Sequence, residues 1–440
     1  MPAAAVLAVA HLVHAAESKP NIILILADDL GYETIGAYGG TSYRTPRIDQ
    51  LAREGLRFGH CYAQPLCTPS RVQLLSGRYN SRNYVNFGYL DVKVTTFGQL
   101  LKAAGYATCI TGKWQLNGND KKPAVPAATR PKHFGFDEWC LWQMDEPGRV
   151  AGVGDTRYAD PEFNINGKDS GIMKGKYGPD VCSDIALDFI ERNKDRPFLL
   201  YYPMLLPHAP IWPTPASAEW LDPSKRKPGD SKKGQTKYYG DTISYLDSLV
   251  GRIIDKVDAL KLGDRTLILF TGDNGTDKAI ASMCNGRKVK GGKADLTDAG
   301  THVPLIVRWS GRTPAGNTSN DLVDFTDFLP TLLEVAAVPL PPDPPLDGRS
   351  FAPQLVGKPG NPREWIYCWH FRDGKPDKTG GEWARTQRYK LYRDGTLYDI
   401  TNDVLEQRPL KGDALTPDVV RIRDMLKRVI ENNTRPGFYK

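Results

Sequence analysis

The chain has 440 residues, 40% of them hydrophobic, with 58 basic against 51 acidic side chains and a formal charge of +7. That length and apolar content suffice for a large buried core and leave room for two domains. The positive excess is mild and spread along the chain without a basic run, which favours anionic substrates weakly and gives no support to nucleic acid as a partner, and after the N-terminus no apolar stretch is long enough to span a membrane.

The first residues, MPAAAVLAVAHLVHAAESKP, hold a short run of Ala, Val and Leu followed by small residues, with Val13-His14-Ala15 as a cleavage site of the small-x-small kind. Residues 1–18 therefore read as a signal peptide and the protein as exported, periplasmic or secreted. A positive n-region is missing, and the alternative is a disordered tail. Next comes PNIILILADDLG, in which Ile22 to Ala27 is continuously apolar, the pattern of a strand covered on both faces. Thr45-Pro46 reads as N-cap and first residue of a helix through Ile48, Leu51 and Ala52 to Gly55. In CTPSRVQLLSGRY a helix is expected to start at Pro69. Further strand-length apolar runs lie at Ala107 to Thr111, Phe198 to Pro203, Thr266 to Thr271 and Val303 to Trp309. Between them, Leu246, Leu249, Val250, Ile253, Val257 and Leu260 share one face of a helix over 243–260.

Strands alternating with helices predict an α/β fold over 19–340, a large central and mostly parallel sheet sandwiched by helices. The segment from about Asn119 to Pro179 is rich in Gly, Pro and Trp without a sustained period and reads as a long insertion at one end of the sheet. A helix is expected around Leu322 to Ala337. The stiff VPLPPDPPLDG that follows reads as a domain boundary. Beyond it, YKLYRDGTLYDI carries a hairpin signal at Asp394-Gly395, and a closing helix at Val419 to Val429 completes a smaller C-terminal α+β domain over 346–440.

Seven cysteines (Cys61, Cys67, Cys109, Cys140, Cys182, Cys284, Cys368) make an odd number with no CxxC spacing. A disulfide scaffold and a zinc site are thereby excluded, one or two disulfides remain open, and at least one thiol is free or altered. In open α/β sheets ligands sit beyond the carboxyl ends of the strands, so the polar residues that end apolar runs matter most. Asp28-Asp29 ends the first run, Lys113 ends YATCITGK, His208 follows FLLYYPMLLP and Asp273-Asn274 ends TLILFTGDNG. Three carboxylates and an amide oxygen form a hard oxygen cage suited to Ca²⁺ or Mg²⁺ rather than zinc. Each pair alone reads equally well as a cap or a turn. Two pairs at two strand ends favour a metal.

CTPSRVQLLSGR fits Cys-x-Pro-Ser-Arg, four residues, Ser or Thr, Gly, Arg, and resembles the signature of the formylglycine-dependent sulfatase family, arylsulfatase-like members of the alkaline phosphatase superfamily. PNIILILADDLG, TGKW, LPHAP, GDNG, GGKADLTDAGTHVPLIV and LYDI occur in that family's order. The resemblance implies hydrolysis of sulfate monoesters by an alkaline-phosphatase-like fold. It implies that a maturation enzyme oxidises Cys67 to formylglycine (3-oxoalanine). It further implies that Asp28, Asp29, Asp273, Asn274 and the modified Cys67 hold Ca²⁺, or less readily Mg²⁺. Arg71, a cation in an unusual place in the first turn of a helix, would face the modified side chain and the metal-bound carboxylates, and Lys113, His208 and Lys293 would surround the sulfate, with His208 or Lys293 protonating the departing alcohol. A hydrated aldehyde suits this work because one oxygen attacks sulfur and the second, on losing its proton, expels sulfate.

Two positions depart from the family pattern. Gln115 stands where a histidine base is usual, and a glutamine does not accept a proton at neutral pH. Asp298-Ala299-Gly300-Thr301-His302 replaces the common Glu-Gly-Gly-x-Arg, a change expected to touch packing or substrate contacts. The expected substrate is a sulfated small molecule or glycan, with Trp139 and Trp142 offered as stacking platforms for sugar rings. The alternatives are a phosphonate or phosphate ester hydrolase with the same nucleophile, or a sulfoglycan-binding protein with little or no turnover, for which Gln115 is the only support.

Overall fold

The apolar run after Pro20 forms β1 (Asn21–Ala27), every residue of which is buried. This is a computed structural model, and it describes residues 19–118, 124–142, 144, 149–150, 154–155, 157–226 and 232–439. The segment read as a signal peptide and parts of the 119–179 insertion lie outside the described residues. The remaining elements named below are α1 (Pro46–Glu54), β2 (Leu56–Tyr62), α2 (Cys67–Ser76), β3 (Ala107–Lys113), β4 (Glu138–Trp142), β5 (Asn164–Ile165), β6 (Lys168–Asp169), α3 (Gly178–Arg192) and β7 (Phe198–Pro203). They continue with α4 (Lys232–Ala259), β8 (Thr266–Gly272), β9 (His302–Arg308), β10 (Asn317–Asp324), α5 (Phe328–Val335), β11 (Ile366–His370), β12 (Gly381–Arg385), β13 (Tyr389–Tyr392), β14 (Leu397–Asp399) and α6 (Pro417–Asn433).

Ten strands form one sheet in the order β10-β2-β9-β8-β1-β7-β3-β4-β5-β6. Its centre, β8-β1-β7-β3-β4, is parallel throughout. Antiparallel pairing enters at β8-β9, β9-β2, β4-β5 and β5-β6, so the sheet is mixed around a parallel core. Pleating sends alternate side chains of β1 to opposite faces. Ile22, Leu24 and Leu26 join a core with Val72 and Leu75 of α2 and Leu329 and Leu332 of α5. Ile23, Ile25 and Ala27 join a second core with Ile48 and Leu51 of α1 and Leu246, Leu249 and Ile253 of α4. At about 1.5–3 kcal/mol for each fully buried Ile or Leu side chain, this two-sided burial fixes the run as a central strand. A charge at Leu24 would break it.

Strands β11 to β14 form a separate four-stranded antiparallel sheet, with β13 and β14 as the hairpin expected at Asp394-Gly395. Leu426 and Ile430 of α6 are buried with Ala384 and Leu391 of that sheet. Buried charges join the two sheets: Arg385 Nη1 donates to Asp298 Oδ2 at 2.6 Å, and Lys390 Nζ reaches Glu406 Oε1 at 2.9 Å and Asp298 Oδ1 at 3.3 Å.

Four expectations are corrected. Helix α2 begins at Cys67, two residues before Pro69, because Ser70 Oγ binds the turn ahead of it, accepting from Gln64 N at 3.0 Å and donating to Leu66 O at 2.9 Å. Leu322 to Asp324 belong to β10, and the helix that follows runs only over α5. The helix expected from 243 starts earlier, at Lys232. Trp139 and Trp142 do not offer themselves to a sugar: both lie in β4, 5% and 7% exposed, with Trp139 Nε1 donating to Asn164 Oδ1 and the Arg157 guanidinium 4.5 Å from the Trp142 ring centroid. All seven cysteines are free thiols.

Candidate active site

Because β8, β1, β7 and β3 are parallel neighbours, their carboxyl ends open on one edge of the sheet, and strands about 4.8 Å apart bring the residues after them within side-chain reach. Asp28 and Asp29 leave β1 there, Asp273 and Asn274 leave β8, Lys113 ends β3 and His208 lies in the loop after β7. Asp29 has φ of 66°, a left-handed turn that Asp tolerates better than most residues. Gly112, at φ 125°, allows the close passage that carries Lys113 into place, since a Cβ there would lie 1.9 Å from the Pro203 carbonyl oxygen. Helix α2, buried along its whole length, brings Cys67 in its first turn and Arg71 one turn later.

Arg71 resolves the oddity of a cation near a helix N-terminus. Its Nε and Nη2 donate to Asp273 Oδ2 at 3.2 and 2.9 Å, and Nη1 donates to the Lys113 carbonyl at 2.9 Å. Lys113 Nζ donates to Asp28 Oδ2 at 2.7 Å. Asp29 accepts from Asn274 Nδ2 at 2.8 Å and from Lys293 Nζ at 2.6 Å, while its own N–H donates to Asp273 Oδ1 at 3.0 Å. His208 Nε2 lies 3.2 Å from Lys293 Nζ and 3.8 Å from Asp29 Oδ2. The Cys67 thiol donates to Gln115 Oε1 at 2.8 Å. Every residue expected at the site therefore meets in one cluster, buried except for the half-buried Gln115, His208 and Lys293.

Three carboxylates at close quarters compete for the cations around them. Burial alone would raise Asp28, but Lys113, ahead of His208, Arg71 and Lys293, pulls it far below the usual carboxylate range. Burial pushes Asp29 up, and burial together with Asp28 pushes Asp273 up to about 7. Burial opposes the Lys293 charge, yet Asp29, Cys67 and Asp28 together more than offset it and raise the ammonium. Burial drives His208 well below its ordinary value, so the ring is neutral. A cluster in which two of three carboxylates bind protons this readily has room for more positive charge.

The donor set fits a divalent cation. Asp28 Oδ1 and Asn274 Oδ1 are buried oxygens without a hydrogen-bond partner. Single ligand atoms of Asp28, Cys67 and Asp273 lie within 4.8 Å of one another, and so do those of Asp28, Asp29 and His208. Orphaned oxygens beside carboxylates of raised proton affinity are what a hard cation satisfies.

Two contributors escaped the sequence. Arg157 is 4% exposed; its Nη1 meets His208 Nδ1 at 2.8 Å and its Nη2 donates to the Ala209 carbonyl at 2.9 Å. Arg157 and Lys293, which only donate, thus face the two ring nitrogens of His208, and the Ala209 carbonyl lies against Nδ1 as well. Glu33 accepts from Thr276 Oγ1 at 2.5 Å, and Thr276 Oγ1 accepts from Gly31 N at 3.1 Å, which ties the loop after β1 to the loop after β8. Arg157 sits in the aperiodic insertion, where no pattern marks it. Glu33 had only its closeness to Asp28-Asp29 to betray it.

A family model described as Sulfatase matches residues 20–338, and one described as N-sulphoglucosamine sulphohydrolase, C-terminal, matches residues 293–435. The N-acetylgalactosamine-6-sulfatase of Canis lupus familiaris is 33% identical over 380 residues, covering 78% of this chain and 67% of that protein. Arylsulfatase A of Homo sapiens is 31% identical over 406 residues, covering 85% and 74%. A structure solved in complex with D-glucosamine-2-N,6-O-disulfate, described as its substrate, superposes with a TM-score of 0.75 at 23% identity, covering 96% of this chain and 99% of that one.

Proposed function

The chain belongs to the sulfatase family of the alkaline phosphatase superfamily and is a sulfuric ester hydrolase, and from that premise we propose that it releases sulfate from a sulfated carbohydrate, with residue 67 as nucleophile after a maturation enzyme has converted Cys67 to formylglycine. The observation that carries this reading is the place of Cys67: it opens a fully buried helix and lies among Asp28, Asp273, Lys113 and Gln115. As a thiol it suits the task poorly. Burial pushes it above the ordinary cysteine range, with Lys113 countering only in part, and a protonated thiol is not a nucleophile. The hydrated aldehyde supplies the attacking oxygen and a second hydroxyl whose deprotonation releases sulfate.

Asp28, Asp29, Asp273 and Asn274, together with residue 67, would hold the cation, which we assign as Ca²⁺ with Mg²⁺ as the alternative. Bound there, it would supply Lewis acidity toward a sulfate oxygen and acidify the hydroxyl of residue 67. The chain's own residues do the remaining work. Arg71 fixes Asp273 through two donors, and the Lys113 and Lys293 ammonium groups counter the charge that spreads over the sulfate oxygens during displacement. Lys293, which stays an ammonium beside Asp29, protonates the departing sugar oxygen, with the neutral His208 ring held next to it by Arg157. Gln115 accepts a hydrogen bond from residue 67 and orients it without taking its proton.

The carbohydrate assignment follows the dog relative, named for N-acetylgalactosamine 6-sulfate, and the neighbour solved with a sulfated glucosamine. Residues 1–18, as a signal peptide, would place the enzyme outside the cytoplasm. Peptide mass spectrometry across Cys67 to Arg71 tests the nucleophile. In an active preparation the cysteine is expected to have lost its sulfur and two hydrogens and gained one oxygen; full activity with an unaltered cysteine overturns the assignment.

A further inference from the structure

At the end of α2 remote from Cys67 lies a cavity of about 320 Å³, lined by Ser76, the last residue of that helix, and by the residues just beyond it. A helix of this length, rising about 1.5 Å per residue, puts about 15 Å between Cys67 and the cavity, and no residue of the catalytic cluster lines it. The stretch 76–95, the proline-rich connector after α5 and Arg435 just beyond α6 come together around it.

Arg78, Arg82, Lys93 and Arg435 line this cavity against a single carboxylate, Asp91. Arg82 is neutralised, its Nε donating to Asp347 Oδ1 at 2.8 Å. Arg435 directs its donors to the carbonyls of Ser81, Gly374, Asn80 and Tyr84, which satisfy its N–H groups and leave its charge standing. Arg78, half-buried, makes no side-chain hydrogen bond or ion pair among the described residues, and the exposed Lys93 has no carboxylate partner among them. The end of a helix carries about half a negative charge, which accounts for one cation placed as Arg78 is and not for the rest. Uncompensated cations around one concavity repel one another and hold a positive potential that an anion relieves. The planar fork of an arginine matches an oxyanion in particular.

The opposite wall is apolar. Val85, 45% exposed, lies there with Pro341, Pro344 and Leu346, and the prolines stiffen it, so the cavity does not have to form around its ligand. The volume stands at the lower end of the roughly 300–1,000 Å³ of small-molecule sites. An inorganic anion the size of roughly two waters, at about 30 Å³ each, would leave most of it unfilled. An uncharged apolar molecule would leave the cations unanswered. A ligand with an oxyanion at one end and an apolar body at the other meets both walls.

We propose that this cavity is a binding site for an organic anion, whose oxyanion group meets Arg78 and Lys93 and whose apolar body lies against Val85 and the connector prolines. The site is separate from the catalytic cluster, and the inference does not depend on the role of residue 67.

Calorimetric titration with naphthalene-2-sulfonate, which has a carbon–sulfur bond and no ester to cleave, tests it beside 2-naphthol and inorganic sulfate. Wild-type protein is expected to bind the sulfonate at least tenfold more tightly than either of the other two. Arg78→Gln, its fold checked by thermal melting, and Val85→Asp, at an exposed position, should each weaken the sulfonate about tenfold. Lys293→Ala, which removes a cation from the catalytic cluster, should leave its affinity within about twofold. Binding that survives both Arg78→Gln and Val85→Asp, or that falls instead with Lys293→Ala, overturns the site. Equal affinity for 2-naphthol refutes the part given to the cations, and equal affinity for inorganic sulfate the part given to the apolar wall. No binding of the sulfonate by wild type refutes the proposal as a whole.

Discussion

Gln115 accepts from the Cys67 thiol at 2.8 Å, in the position from which a base would act on residue 67, and its backbone takes a φ of 55° to reach it. An amide there can orient a hydroxyl and cannot deprotonate it, so the proton lost when sulfate departs must go elsewhere. Asp28 and His208 are near, but Asp28 already holds Lys113, and His208 is buried between the Arg157 and Lys293 cations, which oppose its taking a proton. Gln115→His should therefore raise kcat about tenfold or more, with KM nearly unchanged, provided sulfate release limits turnover. An unchanged or lower kcat, measured by sulfate release under saturation, would show that another group already does this work. At this scale the sequence was most legible where chemistry is sparse in alternatives. Asp28, Asp29, Lys113, His208, Asp273 and Asn274 each terminate an apolar run, and Cys67 and Arg71 sit in a spaced signature. Arg157 had neither mark, and Trp139 and Trp142 were misread because the short strand β4 hides in a Gly- and Pro-rich segment.

Among the elements, apolar runs translated almost directly into β1, β3, β7 and β8, since a strand covered on both faces needs an uninterrupted run. Strands β2 and β10 left no such trace. In LRFGHCY only part of the strand is buried, and β10 opens with exposed polar residues that pairing with β2, rather than burial, holds extended. The strand order that makes the four central ends converge is a long-range property that no local pattern encodes. Helix packing carries a similar long-range contact. Asp247 of α4 accepts from the backbone N–H groups of Arg47 and Ile48, at 3.1 and 2.8 Å, and so caps the first turn of α1 from another helix. Burial, with Asp49 adding to it and Arg47 and the two N–H groups opposing, pushes Asp247 up to about 6. The folded state thus binds this proton more tightly than the unfolded one. The charge costs stability increasingly as pH rises from about 4 to about 6, and the cost persists above that. Asp247→Asn keeps an acceptor without the charge. Its melting temperature relative to wild type should be about 2–4 °C higher at pH 7.5 than at pH 4.5; a difference independent of pH, or of opposite sign, contradicts this account of the cap.

Across the whole molecule, two buried cores clamp one sheet, and the edge of that sheet collects a cluster of buried and half-buried charges. Cations and carboxylates there are nearly matched, with Lys113 on Asp28, Lys293 on Asp29 and Arg71 on Asp273, yet two carboxylates remain hungry for protons and two oxygens remain unpaired. That imbalance leaves room for a cation and an anionic ester together. The second sheet is bound to the segment that leads into β9 by the buried Asp298, Arg385, Lys390 and Glu406 charges. The most direct measurement is of inorganic sulfate released from a sulfated carbohydrate by protein matured with a formylglycine-generating enzyme and loaded with Ca²⁺, beside Cys67→Ala protein treated identically. Many sulfates per wild-type molecule and none above background from Cys67→Ala are predicted. Sulfate release by Cys67→Ala at the wild-type rate would contradict the role given to residue 67, and with it the account of the cluster built around it.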